Sequence, residues 1–294
     1  MGRTEQAQVS MTQKRAPGKI HPSSSSKPSD WLLAHRRSVT SQLGEDGIIE
    51  EIFSLLPPQE KRWCVEFGAG DGHYLSNTYN LIVNHGWYSI QIEANLGRFL
   101  ALTRLHSGNE RVICLNQLIT FEGSNSLDSV LSRAPIPKDF DLLSIDIDGN
   151  DYYIWESLQE YRPKVLIIEF NPTIPHYVSF VQSCDMSVNQ GCSLLALVEL
   201  GKRKGYELIC STEWNGIFVD KEYFSLFGIS DNSIWKMNQN YHFWTYVFQG
   251  YDGRIFVGGM NRLLWHGISV DLEAIQESIQ ILPPEQRVYR DRPG

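Results

Sequence analysis

From Trp31 onward the apolar positions alternate between a period near 3.6 and short unbroken runs. Residues 45–56 place Ile48, Ile49, Ile52, Phe53 and Leu56 on one helical face, and Pro57-Pro58 ends the run. The block Trp63-Cys64-Val65-Glu66-Phe67 then reads as a buried strand that breaks at Gly68. The spacing predicts a helix over 75–85 and a second strand from Trp87 to Glu93. It continues with helix 95–106, strand 111–116, helix 126–133, strand 141–147, helix 150–159 and strand 164–170. Strands separated by helices imply parallel pairing with helices on both faces, an α/β doubly wound sheet. A helix over 192–204 precedes two more strands, Tyr206 to Cys210 and Ile217 to Val219. Asn215-Gly216 between them is a hairpin signal, so the sheet is expected to close on an antiparallel pair. No internal repeat is evident.

The two ends of the chain break this pattern. Residues 1–30 hold Pro17, Pro22, Pro28 and the run Ser23 to Ser26 with almost nothing large and apolar, and are expected to form a disordered tail. Residues 31–220 carry the alternating pattern and form the main domain. Residues 221–294 are aromatic-rich, with Trp235, Tyr241, Phe243, Trp244, Tyr246, Phe248 and Tyr251 close together, followed by Asp252-Gly253 and Gly258-Gly259 turns and a short helix near 271–281. This C-terminal appendage is too short for an independent core. Its aromatics either pin it to the sheet or form a lid over an acceptor.

Composition narrows the function classes. With 294 residues, 42% hydrophobic and 20% charged, the chain is long enough for a buried core and is not wholly disordered. A net charge of −8 argues against nucleic acid or an anionic membrane as partner, because phosphate binding needs a basic footprint. No run approaches the roughly 18 apolar residues of a membrane helix. Five cysteines without a close CxxC pair fit reduced thiols in a cytoplasmic protein.

In an open parallel sheet, ligands bind beyond the carboxyl ends of the strands. The first strand runs into Gly68-Ala69-Gly70-Asp71-Gly72, where glycines let a ligand approach the backbone. The second ends in Glu93, a carboxylate placed to accept both hydroxyls of a ribose. A pyrophosphate is disfavoured: the turn lacks the Lys-Ser/Thr of a phosphate loop, its spacing is GxGxG rather than GxGxxG, and Glu66 and Asp71 would repel it. An adenosine carrying a cationic sulfonium suits such a rim, which points to S-adenosylmethionine.

Val65-Glu66-Phe67-Gly68-Ala69-Gly70-Asp71-Gly72, Ile92-Glu93-Ala94-Asn95 and Leu143-Ser144-Ile145-Asp146-Ile147-Asp148-Gly149-Asn150-Asp151 resemble class I S-adenosylmethionine-dependent methyltransferases, nearest to the FkbM type. Ser41-Gln42-Leu43-Gly44-Glu45-Asp46-Gly47 and Ile168-Glu169-Phe170-Asn171-Pro172 resemble an uncharacterised branch of it, and the match covers residues 37–220. The resemblance implies a mostly parallel seven-stranded sheet of the Rossmann-like methyltransferase fold. By position it implies that Glu66, Gly68 and Gly70 line the methionine portion and that Glu93 holds the ribose. Asn116 and Gln117 would lie near the adenine, Asp146 would face the methionine amine or the acceptor, and Asn77 would meet the cofactor carboxylate.

Asp146 and Glu169 end what should be adjacent strands, with Asn171 two residues on. These are oxygen ligands suited to Mg²⁺, which would lower the pKa of an acceptor hydroxyl. In the competing reading Asp148, Asn150 and Asp151 cap the next helix and Asp146 binds cofactor without metal. His176, in the loop beyond the fifth strand, is the candidate base alongside Asp146, with His73 in reserve; His242 and His266 read as packing residues. The expected activity is methyl transfer to oxygen of a small-molecule acceptor. Small-molecule N-methylation, a nicotinamide-dependent oxidoreductase and a non-catalytic binding protein on the same fold are the alternatives, and a homo-oligomer stays open.

Overall fold

The computed structural model describes residues 26–264 and 266–289. In chain order the main domain contains α1 (Glu45–Leu55), β1 (Trp63–Phe67), α2 (Tyr79–Val83), β2 (Tyr88–Glu93), α3 (Leu96–Leu105), β3 (Val112–Asn116), α4 (Leu127–Leu131), β4 (Leu142–Ile145), α5 (Asp151–Ser157), β5 (Val165–Glu169), α6 (Leu194–Lys204), β6 (Tyr206–Ser211) and β7 (Asn215–Asp220). The appendage adds α7 (Ile234–Met237), β8 (Thr245–Gln249), β9 (Ile255–Gly259) and α8 (Leu272–Ser278).

One seven-stranded sheet runs β3-β2-β1-β4-β5-β7-β6, with β1 to β5 parallel and β7 antiparallel to both its neighbours. The doubly wound, mostly parallel architecture therefore stands. Every residue of β1 and β4 is buried, as expected of strands covered on both faces. The chain winds outward from β1 to β3, then jumps back to place β4 on the other side of β1. That reversal opens a crevice at the carboxyl ends of β1 and β4.

Three expectations change. The helix expected over 75–85 shrinks to Tyr79–Val83, because the buried Glu66 carboxylate draws the preceding loop to itself. It accepts from Asn77 N–H at 2.9 Å, Ser76 Oγ at 2.6 Å and Thr78 Oγ1 at 2.7 Å. Asn215-Gly216 is not the hairpin turn but the start of β7, and the connection runs through 212–214. Gly216 is there for packing, since a Cβ would lie 2.9 Å from the Phe218 ring and 3.2 Å from Leu194. Of the tail expected over 1–30, residues 1–25 fall outside the described residues. Residues 26–30 are tied down: Lys27 N–H donates to Gly228 O at 2.8 Å, and its ammonium sits 3.3 Å from the Trp31 ring centroid.

The appendage divides in two. Phe227, Ile229, Ile234, Met237 and Trp244 are buried, so its first part joins the core. The β8–β9 hairpin and α8 form a separate two-stranded unit. No helix among the described residues is long and apolar enough to cross a membrane.

Candidate functional site

A cavity of about 860 Å³ opens at the reversal between β1 and β4. Its first wall is the glycine turn. Gly68 and Gly70 hold φ of 73° and 57°, and a Cβ on Gly68 would lie 1.9 Å from the carbonyl oxygen of Asp146. Only glycine permits both the left-handed backbone and this contact. Glu93, at the tip of β2, binds the turn: its Oε2 accepts from Gly70 N–H at 2.8 Å and its Oε1 from Asn95 N–H at 2.6 Å. Each oxygen keeps a further lone pair, so the carboxylate is held in place without being used up.

Glu66 also lines the cavity, but its oxygens are committed to the 76–78 loop; burial raises its pKa while those three donors oppose the rise. Asn77 lines the same wall, fixed by donation from Nδ2 to Ser144 Oγ at 3.1 Å. Gln117, Leu118 and Ile119 form the β3 side. Asn116 does not join them. Its Nδ2 donates to the carbonyls of Glu93 and Ala94 at 2.8 and 3.1 Å, which makes it a brace for the β2 tip.

The floor is acidic. Asp146, Asp148 and Glu169 bring carboxylate oxygens within 4.8 Å of one another. Water reaches Asp146 from the cavity, yet protein surrounds it on the other sides. Burial, reinforced by the charges of Asp151, Asp148 and Glu66, pushes its pKa up to about 7. Glu169 is raised too, first by burial and then by Asp146 and Asp151. The expected side-chain cap of α5 is not made: Asn150 at the cap position contributes no such bond, and Asp151 instead holds the preceding loop, accepting from Ile147 N–H and Gly149 N–H at 2.9 Å each. Asp148 takes no part in capping; it sits at φ 56° in the cavity wall. Arg98 is the one basic side chain on that wall among the described residues.

Two expected site residues are corrected. Asn171 is not a third metal ligand: Nδ2 donates to Gln190 O at 2.8 Å, and Oδ1 accepts from Thr173 N–H at 3.0 Å and Thr173 Oγ1 at 2.6 Å. Asp148, not Asn171, is the third oxygen-bearing side chain close to Asp146 and Glu169. His176 is not at the cavity. It is 4% exposed, its Nε2 lies 3.0 Å from Asn238 O, and Trp235, Tyr241 and Trp244 surround its ring at centroid distances of 5.4, 5.7 and 5.0 Å. Burial lowers its pKa, the behaviour of an uncharged packing ring. The same cluster decides between the two readings of the aromatics. None of the seven lines the cavity; Trp235, Tyr241 and Trp244 pin the first part of the appendage to the loop after β5, while Tyr246, Phe248 and Tyr251 lie exposed on its second part. His73 is exposed, stacked edge-on against Tyr79 and outside the wall.

Sequence reasoning missed Gln42, Met186, Asn189 and Trp214, all of which line the cavity. Gln42 follows a loop gathered by Asp46, whose Oδ2 accepts from Val39, Thr40 and Ser41 N–H groups. The acid four residues on is the signal the sequence offers for it. Met186 and Asn189 belong to the long loop between β5 and α6, which has no periodicity to read. Its clasp is Gln182, whose Oε1 accepts from Gln190 and Gly191 N–H while Nε2 donates to Val188 O. A smaller cavity of about 230 Å³ adjoins, sharing Asp148, Glu169 and Asn189 with the large one; His266 reaches it from the appendage.

No family model and no curated protein matches the sequence. Among solved structures, the CurJ carbon methyltransferase is similar over 60% of this chain and 52% of that chain, at 9% identity and a TM-score of 0.42. The CMeT domain of the citrinin polyketide synthase is similar over 60% and 51%, at 11% identity and a TM-score of 0.40. A SAM-dependent methyltransferase from Aquifex aeolicus is similar over 58% and 87%, at 12% identity and a TM-score of 0.35. The chain spans about half the length of the first two, and likeness at this level assigns no activity.

Proposed function

We propose that this chain is an S-adenosylmethionine-dependent methyltransferase that acts on a small molecule at oxygen. One observation carries the reading: a cavity at the strand reversal walled by Glu66, Asp71, Glu93, Asp146, Asp148 and Glu169 against a single arginine. Such a wall repels the pyrophosphate of a dinucleotide and attracts a cationic ligand. The donor set fits the adenosyl group. Glu93 offers two fixed carboxylate oxygens to ribose hydroxyls, the Gly68–Gly70 backbone admits close approach, and Gln117, Leu118 and Ile119 provide a surface for a flat base.

S-adenosylmethionine supplies a methyl group on cationic sulfur. The chain's own work is to bind, orient and remove a proton. Asp146, whose proton affinity is raised toward neutrality, is placed to hold the methionine ammonium or to take the proton of an acceptor hydroxyl, with Glu169 beside it. A base of this kind favours oxygen over nitrogen, since a neutral amine needs no deprotonation before attack. The oxygens of Asp146, Asp148 and Glu169 also fit a hard cation such as Mg²⁺, which would relieve their mutual repulsion.

Calorimetry with S-adenosylmethionine, S-adenosylhomocysteine and NAD tests the proposal. Binding of the first two without the third is expected; binding of NAD alone, or of none of them, overturns it. Release of S-adenosylhomocysteine on adding an acceptor separates an enzyme from a non-catalytic binder.

A further inference from the structure

The two edges of the β8–β9 hairpin are treated differently. On the β9 side, α8 supplies side chains that imitate a neighbouring strand. Gln280 accepts from Ile255 N–H at 3.0 Å and donates to Ile255 O at 2.7 Å, while Gln276 accepts from Val257 N–H at 3.3 Å. Natural sheets cover edges in this way to stop further pairing.

Those contacts fix the direction of every backbone group in the hairpin. Ile255 and Val257 point away from β8, so Phe256 and Gly258 make the bonds to their register partners Phe248 and Tyr246. Thr245, Val247 and Gln249 therefore turn their N–H and C=O groups outward. No described residue pairs with that edge. The strand carries none of the usual deterrents. It has no charge, no proline and no bulge, and Tyr246, Val247 and Phe248 are 45%, 66% and 55% exposed.

We infer that the outer edge of β8 pairs antiparallel with β8 of a second copy of this chain, making a four-stranded sheet across a two-fold axis. Three features select a second copy as the occupant. With the axis at Val247, the outward groups meet one another: Val247 faces Val247, and Thr245 faces Gln249 twice, so each donor finds an acceptor. In that register Tyr246 faces Phe248 of the other copy, an aromatic cross-strand pair on each side of the axis. The chain carries −8 overall, so two copies repel on average, but Thr245–Gln249 is an uncharged strip on which no like charges oppose. Because glutamines block both outer edges, the sheet closes at four strands and the assembly stops at a dimer rather than a filament.

Sedimentation velocity on the full chain from about 1 to 100 µM tests this, with a shift from monomer to twice the monomer mass expected across the range. Val247→Pro removes an N–H that the hairpin itself does not use. It should leave the far-ultraviolet circular dichroism unchanged and hold the chain monomeric throughout. Hydrogen exchange on the unmodified chain is independent of any variant's folding: the amides of Thr245, Val247 and Gln249 should slow as concentration rises, while those of Tyr246 and Phe248 stay constant. A monomer at the highest concentration, a Val247→Pro dimer, or odd-numbered amides that ignore concentration would overturn the inference.

Discussion

Strand β4 is bracketed by two aspartates that have opposite surroundings. Asp141, at its start, is buried with two cations: Oδ1 lies 3.1 Å from Lys164 Nζ and 3.4 Å from Arg62 Nη1, and Oδ2 accepts from Trp63 N–H at 2.9 Å. Asp146, just past its end, sits beside acids with no cation paired to it among the described residues, and burial together with those charges raises its proton affinity. One end of the sheet is electrostatically satisfied from within. The other is left wanting a positive charge. Folding alone would favour the first arrangement at both ends, which is why the second is the end at which we propose a ligand binds.

The largest expected effect comes from breaking the satisfied end. Asp141→Ala strands Lys164 and Arg62 in the interior and should cost about 3–5 kcal/mol in urea unfolding. S-adenosylhomocysteine affinity of the folded fraction should be unchanged. Glu93→Ala acts at the opposite end. It should weaken cofactor binding by about 1–3 kcal/mol in calorimetry, since ribose hydroxyls lose a charged acceptor. Equal affinity in that variant would dissociate Glu93 from the ribose.

Glu169→Gln sharpens the contrast by changing sign. A carboxyl whose pKa is raised in the folded state binds its proton more tightly there than in the unfolded chain. Its stabilising contribution is complete below the unfolded pKa and is lost as pH climbs toward the folded value. The variant should therefore gain about 1–2 kcal/mol at pH 8, where the acid is a burden, and nothing near pH 4. Urea titrations at both values check it. The smallest effect on the site is expected from His176→Gln: S-adenosylhomocysteine affinity should match the parent within about 0.5 kcal/mol, because the ring lies outside the cavity.

Much of this was legible in the chain. Trp63–Phe67 is a short run, apolar but for Glu66 and closed by glycine, and both bounds held because nothing distant competes with a buried parallel strand. Glu93 stood out as a carboxylate ending an apolar strand, and it occupies the rim as expected. Most of the failures share one cause, contacts between residues far apart in sequence. His176 reads as a free loop histidine until the aromatics of 235–244 close over it. Asn215-Gly216 has turn chemistry, but Phe218 and Leu194 claim the space above the glycine. Asn171 looked like a ligand until the loop returning through Gln190 took its amide. The shift of the third floor oxygen to Asp148 depends on a left-handed backbone at a non-glycine residue, for which the sequence carries no clear mark.

The close approach of Gly68 to the Asp146 carbonyl has a mechanical consequence. With no atom's width between them, the turn that would meet the sugar and the loop that bears the acids cannot slide apart independently. Exchange of a bound molecule would then rest on the exposed side chains of the cavity wall, Tyr74, Leu75, Leu118 and Met186. Any adjustment to a guest would fall to the doorway, while the hearth stays still.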